Sequence, residues 1–104
     1  MKTEHETALK YSRKAAEDYQ ALHGESWACG FAWVDIKADG RTKLGKELKA
    51  LGFEKSWLRG YLYLWNPSNF PTQSMVTLIA GAQAYAEKMG ELTGLSFRAC
   101  SRMD

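Results

Sequence analysis

Trp33, Tyr61, Tyr63 and Trp65, together with Arg59, Arg98 and Arg102, are the residues of this chain best suited to recognition chemistry. Indole and phenol rings offer flat apolar surfaces for stacking. Guanidinium groups lie over such rings and make paired hydrogen bonds to carboxylates or phosphates. Spacing gives these residue types their meaning. In Trp27-Ala28-Cys29-Gly30-Phe31-Ala32-Trp33-Val34 the large side chains take every second place, with small ones between. In Trp57-Leu58-Arg59-Gly60-Tyr61-Leu62-Tyr63-Leu64-Trp65 the alternation repeats, with Leu and Gly as the other set. Successive side chains of a strand point to opposite faces. The spacing therefore predicts one sheet face bearing Trp27, Phe31, Trp33, Tyr61, Tyr63 and Trp65, with Arg98 and Arg102 beside them. Three uses of that face are open. It is a second buried layer under the first helix, or a surface for a protein partner or a second copy, since Tyr, Trp and Arg are enriched at interfaces. The third use is single-stranded nucleic acid, whose unpaired bases gain roughly 1–3 kcal/mol each from stacking on exposed rings.

A second candidate is the loop over residues 66–74. Its two prolines and its Asn/Ser cluster break regular structure and lead into a helix, whose first amides favour anions. Ser68, Asn69, Thr72 and Ser74 supply donors, with Lys55 or Arg59 expected nearby, so a small nucleotide or a phosphate is a further expectation. The loop has no glycine and is not a Walker-type cradle. Helix capping by Asn69 or Thr72 accounts for the same residues.

Other chemistry finds little support. Cys29 and Cys100 are the only cysteines, and His5 and His23 fall on an expected helix, away from zinc-finger spacing. The segment Asp35-Ile36-Lys37-Ala38-Asp39-Gly40 begins like a calcium loop, but Lys37 and Lys46 stand where oxygen ligands belong. No nucleophile motif is present, so no catalytic residue, metal or cofactor is expected.

Positioning these side chains requires one domain, since 104 residues suffice for a single core. A net charge of +2 argues against a strongly charge-driven nucleic-acid binder, although residues 35–59 hold seven basic and four acidic side chains. No apolar run approaches the roughly 20 residues of a membrane helix, so no membrane partner is expected. The N-terminus lacks an apolar signal core, and the expected location is cytoplasmic. Both thiols should then stay reduced and pack as small hydrophobes.

The periodicity predicts a first helix over residues 3–22, opened by a Thr3/Glu6 capping box, with Ala8, Ser12, Ala15, Tyr19 and Leu22 as its stripe. A strand over 27–36, a short helix over 42–51 with Leu44, Leu48 and Leu51 on one face, and a strand over 61–65 follow. The 53–65 segment reads either as one long strand or as a hairpin turning near Leu58-Arg59-Gly60. A third helix over 72–91, with the stripe Met75, Ile79, Ala82, Ala86 and Met89, ends before Gly94. The last strand spans 95–102. The fold class is α+β: a three- or four-stranded sheet with helices packed on it, in the order α-β-α-β-α-β, with an extra strand if the hairpin forms.

Cys29-Gly30-Phe31-Ala32-Trp33-Val34, Arg59-Gly60-Tyr61 through Leu64-Trp65-Asn66-Pro67-Ser68, Ala80-Gly81-Ala82-Gln83-Ala84-Tyr85-Ala86 and Ser101-Arg102-Met103-Asp104 together resemble a group of short uncharacterised proteins of tailed-bacteriophage genomes. The resemblance runs from about Trp27 to Asp104 and carries no activity, cofactor or site residue. It implies an accessory protein acting inside an infected bacterium by binding a host or phage macromolecule. The combined expectation is a non-catalytic binding protein acting through the ring face.

Overall fold

The computed structural model describes residues 1–25 and 28–104, so Trp27, expected on the ring face, lies outside the described residues. The elements run α1 (Lys2–His23), β1 (Gly30–Lys37), α2 (Lys43–Ala50), β2 (Glu54–Lys55), β3 (Tyr61–Trp65), α3 (Met75–Thr93) and β4 (Arg98–Met103). The fold is α+β. Its sheet is four-stranded and antiparallel throughout, in the order β2-β3-β1-β4.

The two readings of residues 53–65 resolve in favour of the hairpin, with Glu54 opposite Tyr63 and Lys55 opposite Leu62. Local chemistry closes the connection. The Ser56 hydroxyl accepts from the Leu58 amide, the Tyr61 amide donates to the Leu58 carbonyl, and Gly60 takes a left-handed φ of 84°. That conformation costs glycine little, which is why the chain can reverse there.

On one side of the sheet, Ala32, Val34, Ile36 and Leu62 are buried with Leu78, Ala82, Tyr85 and Met89 of α3, and with Leu48 and Phe53. Helix α3 lies on β1 and β4, and α1 packs on α3. Being flanked by both, α3 buries a wider arc than a single stripe. Thr77, Leu78, Gly81 and Tyr85 are buried with Ala82, Ala86 and Met89, whereas Met75 and Ile79 are only half-buried.

Helix α1 departs from its expected stripe. Its buried residues are His5, Ala8, Ser12 and Ala16, and Leu22 is 79% exposed. The reason is the shape of α3. The Ser12 hydroxyl donates to the Gly81 carbonyl at 2.6 Å, and a Cβ on Gly81 would lie 3.2 Å from the Ser12 carbonyl and 2.7 Å from Ser68 Cβ. The helices therefore meet at Ser12, which turns Ala15 and Leu22 off the contact. The Thr3/Glu6 capping box does not form. The helix starts at Lys2 with no side-chain cap, and Thr3 lies within it, its carbonyl accepting from the Thr7 hydroxyl.

Helix α3 starts at Met75 after Ser74 with no side-chain cap, so neither Asn69 nor Thr72 caps it as expected. Thr42 caps α2 by accepting from the Gly45 amide at 3.1 Å, and Gly94 closes α3 in the left-handed region. Strand β1 begins later than expected, at Gly30, because Cys29 bridges to Ser74 and the Gly30 amide donates to the Gln73 carbonyl. Among the described residues no helix is long and apolar enough to cross a membrane.

Candidate recognition face

The other side of the sheet carries the rings. Between β1 and β3, Trp33 lies opposite Trp65, Asp35 opposite Tyr63 and Lys37 opposite Tyr61. Between β1 and β4, Phe31 lies opposite Arg102, Trp33 opposite Cys100 and Asp35 opposite Arg98. Directly opposed residues share a face, so Phe31, Trp33, Tyr61, Tyr63, Trp65, Arg98 and Arg102 come together as the alternation requires. Arg59 does not join them. The hairpin sets it at the turn, where it lines a separate cleft with Lys55 and Lys49.

The rings pack on one another. Trp33 and Trp65 stack nearly parallel, with centroids 5.9 Å apart and planes at 6°. Phe31 lies against the far partner of that pair, 5.4 Å from Trp65. Trp57, from the hairpin connection, folds back to meet Trp33 edge-on at 5.2 Å and Tyr63 at 5.6 Å. Trp33 is thereby left 8% exposed, while Trp65 is 48% and Trp57 69% exposed.

Beside the rings lies a buried carboxylate. Asp35, 3% exposed, accepts from Arg98 through both oxygens, Nε to Oδ1 at 3.0 Å and Nη2 to Oδ2 at 2.7 Å. The fork pairs a buried charge with a guanidinium that remains partly in water. Arg98 also lies over the Tyr61 ring at 5.3 Å, and Arg102 over Phe31 at 5.9 Å. Hydrogen bonding to Asp35, then its charge, raises the Arg98 pKa, so the guanidinium stays charged. Burial, followed by the Asp35 charge, pushes the Cys100 thiol up and keeps it protonated. The Tyr63 phenol donates to Glu54 Oε2 at 3.2 Å, and burial and that carboxylate raise its pKa. Nothing here is a poised nucleophile. Among the described residues no cluster of three metal-ligating side chains forms.

In the 66–74 loop the hydroxyls turn inward. Ser68 Oγ donates to Asn66 Oδ1 and accepts from the Phe70 amide. Thr72 Oγ1 donates to Glu25 Oε1 and accepts from the Ser74 amide. Asn69 takes a φ of 50°, and its carbonyl accepts from Arg13. Ser74 is buried, its hydroxyl 3.3 Å from that of Thr77. These groups hold the loop, and the Glu25 carboxylate on Thr72 disfavours an anion there.

Sequence reasoning left Asp35, Trp57, Glu54 and Cys100 out of the face. Three of them carried a signal, because Asp35 continues the odd-numbered alternation of Phe31 and Trp33, and Cys100 sits between Arg98 and Arg102. Trp57 continued the alternation of Tyr61, but it reaches the face by folding over a turn, which alternation cannot express. No protein-family model, curated protein or solved structure matches the chain.

Proposed function

We propose that this chain is a non-catalytic binding protein whose ring-bearing sheet face takes a second protein surface, foremost that of another copy of itself. The observation that carries the reading is the exposure of Trp57 and Trp65, at 69% and 48%, on the face of the sheet that α3 does not cover. Exposed tryptophans beside a packed ring are the kind of residue that dominates protein interfaces, at about 2 kcal/mol or more each when truncated. The resemblance to short tailed-phage proteins fits an accessory role in the cytoplasm of an infected bacterium, with a host protein as the other candidate partner.

Two features favour protein over single-stranded nucleic acid. Trp33 and Trp65 already occupy one another's faces, and Phe31 and Trp57 flank them, which leaves few open ring surfaces for bases. The Arg98 charge is met by Asp35, so that guanidinium is not free for phosphates. Near-neutrality also suits two identical faces, because a strongly charged patch would repel its own copy. Edge pairing is less suitable. Two β4 strands joined antiparallel about Cys100 would set Arg98 against Arg102.

Sedimentation over a wide concentration range tests this, comparing the native chain with Trp57→Glu/Trp65→Glu. The native chain should form a dimer that the variant cannot, with helix content unchanged. A native chain that stays monomeric throughout removes self-pairing. Salt-sensitive quenching of tryptophan fluorescence by an oligonucleotide would move the assignment to nucleic acid.

A further inference from the structure

At the Tyr61 end of the ring face, a cleft of about 420 Å³ opens between the β1–α2 turn and the β2–β3 hairpin connection. Arg41, Lys49, Lys55 and Arg59 line it, with Asp39 as the single carboxylate, and Tyr61 and Leu62 form an apolar part of the wall. We propose that this cleft is a binding site for a compact, multiply charged anion of the phosphorylated small-molecule class, such as a polyphosphate chain or a nucleoside phosphate.

The cations converge from four places in the sequence, and the fold holds them there. The Ala38 amide donates to the Gly60 carbonyl at 2.9 Å, which ties the turn to the hairpin. Lys49 reaches back across the turn because Gly40 has no side chain; a Cβ there would lie 2.6 Å from both Cε and Nζ of Lys49. The first turn of α2 comes equally close, since a Cβ on Gly45 would meet the Asp39 carbonyl and Gly40 Cα. Backbone contacts thus fix the turn, and the Lys49 side chain packs across it.

The charge is only partly answered from within. Asp39 serves Arg41 through two side-chain hydrogen bonds, and with a further bond from the Arg41 amide and the nearby Lys49 charge its pKa falls to about 2. Among the described residues, Lys49, Lys55 and Arg59 have no carboxylate within ion-pair distance. Concentrated like charge in a concave, bounded site raises the local concentration of counter-anions, and guanidinium forks match phosphate oxygens in pairs. The volume lies within the roughly 300–1,000 Å³ typical of small-molecule sites.

The test is thermal melting and calorimetric titration of the full chain at low salt, without divalent metal, using tripolyphosphate, ATP and inorganic phosphate as probes. Tripolyphosphate or ATP should raise the Tm, and inorganic phosphate should do so less, since it carries fewer groups to share among the cations. Lys55→Glu/Arg59→Glu should lose roughly tenfold or more in affinity as charge-assisted contacts are reversed. Lys43→Gln/Lys46→Gln, on the exposed side of α2 and outside the cleft, should bind as the native chain does. No shift with any probe overturns the proposal, as does an equal response from both variants. Preferential binding of an oligonucleotide over tripolyphosphate at these residues also overturns it, because the ligand would then be a polymer. If Lys55→Glu/Arg59→Glu does not fold, Lys55→Gln/Arg59→Gln replaces it under the same criteria.

Discussion

The two faces of this sheet are sealed in different ways by residues one step apart on the same strands. Val34, Ile36 and Leu62 disappear under α3 and its neighbours, as aliphatic strand residues do beneath a helical layer. Trp33 and Asp35 are also buried, yet among the described residues no helix packs over their side. Rings do the covering there. Trp65 and Trp57 lean on Trp33, and Arg98 closes over Asp35. A layer made of side chains alone has a dry centre and a wet rim. The centre then belongs to stability and the rim is left for recognition, so residues that share a face need not share a role. Trp33 is legible from sequence as a candidate contact, and its burial places it at the centre.

The division is broken most directly at Trp33. If the ring layer is a core in its own right, Trp33→Ala should cost about 3–5 kcal/mol in urea unfolding, matching the roughly 2–5 kcal/mol expected for Leu62→Ala beneath the helices. A cost well under that of Leu62→Ala would mean that the rings are only a surface, and the contrast between centre and rim would fail.

Next in size is the buried ion pair. Arg98→Met leaves the Asp35 carboxylate buried without its partner, the costly way to break such a pair. Arg102→Met removes an arginine that lies over Phe31 and has no ion pair among the described residues. The urea midpoint should fall clearly further for Arg98→Met than for Arg102→Met. Equal midpoints would show that Asp35 is solvated and that the ring layer admits water.

The helix side supplies a polar counterpart. His5 Nδ1 and the Tyr85 hydroxyl are 2.7 Å apart, both buried, between α1 and α3. Burial raises the Tyr85 pKa, so the phenol stays protonated and shares one hydrogen bond with the His5 ring. Burial also lowers the His5 pKa from 6.5, against an opposing pull from Glu6. The unfolded chain therefore binds the His5 proton more readily, and stability rises with pH wherever that holds. Stability from this contact is present above pH 6.5, is lost as pH falls below it, and levels off under the depressed folded value. Unfolding free energies at pH 7.5 and 5.5 should differ in the native chain and differ less in His5→Phe. Tyr85→Phe, which leaves the buried His5 Nδ1 without its partner, should cost about 1–3 kcal/mol at neutral pH.

These residues mark where the sequence was readable. Period-two alternation located both faces of β1 and β3 and the Arg98/Arg102 side of β4, since it depends only on strand geometry. Gly94 announced the end of its helix because its conformational preference is local. What stayed hidden depended on contacts distant in sequence. The stripe of α1 is set by Gly81, 69 residues beyond Ser12, and His5 is buried by Tyr85. Arg59 left the face because a turn, not a strand, passes through it. The basic cleft was visible only as a mild excess of charge over residues 35–59, since its convergence comes from the hairpin folding against the β1–α2 turn.

The smallest expected effect is the sharpest test of centre against rim. Trp57 touches Trp33 and Tyr63, but 69% of it lies in solvent, so its truncation uncovers little that was dry. Trp57→Ala should therefore change stability by no more than about 0.5 kcal/mol, the range of ordinary surface substitutions. Its effect on self-association should be far larger, because a rim tryptophan is buried only when the partner arrives. The urea midpoint and the dimer dissociation constant, measured on the same variant, separate the two roles. A large loss of stability with unchanged association would make Trp57 the lid of the ring layer, and recognition would have to move to Trp65.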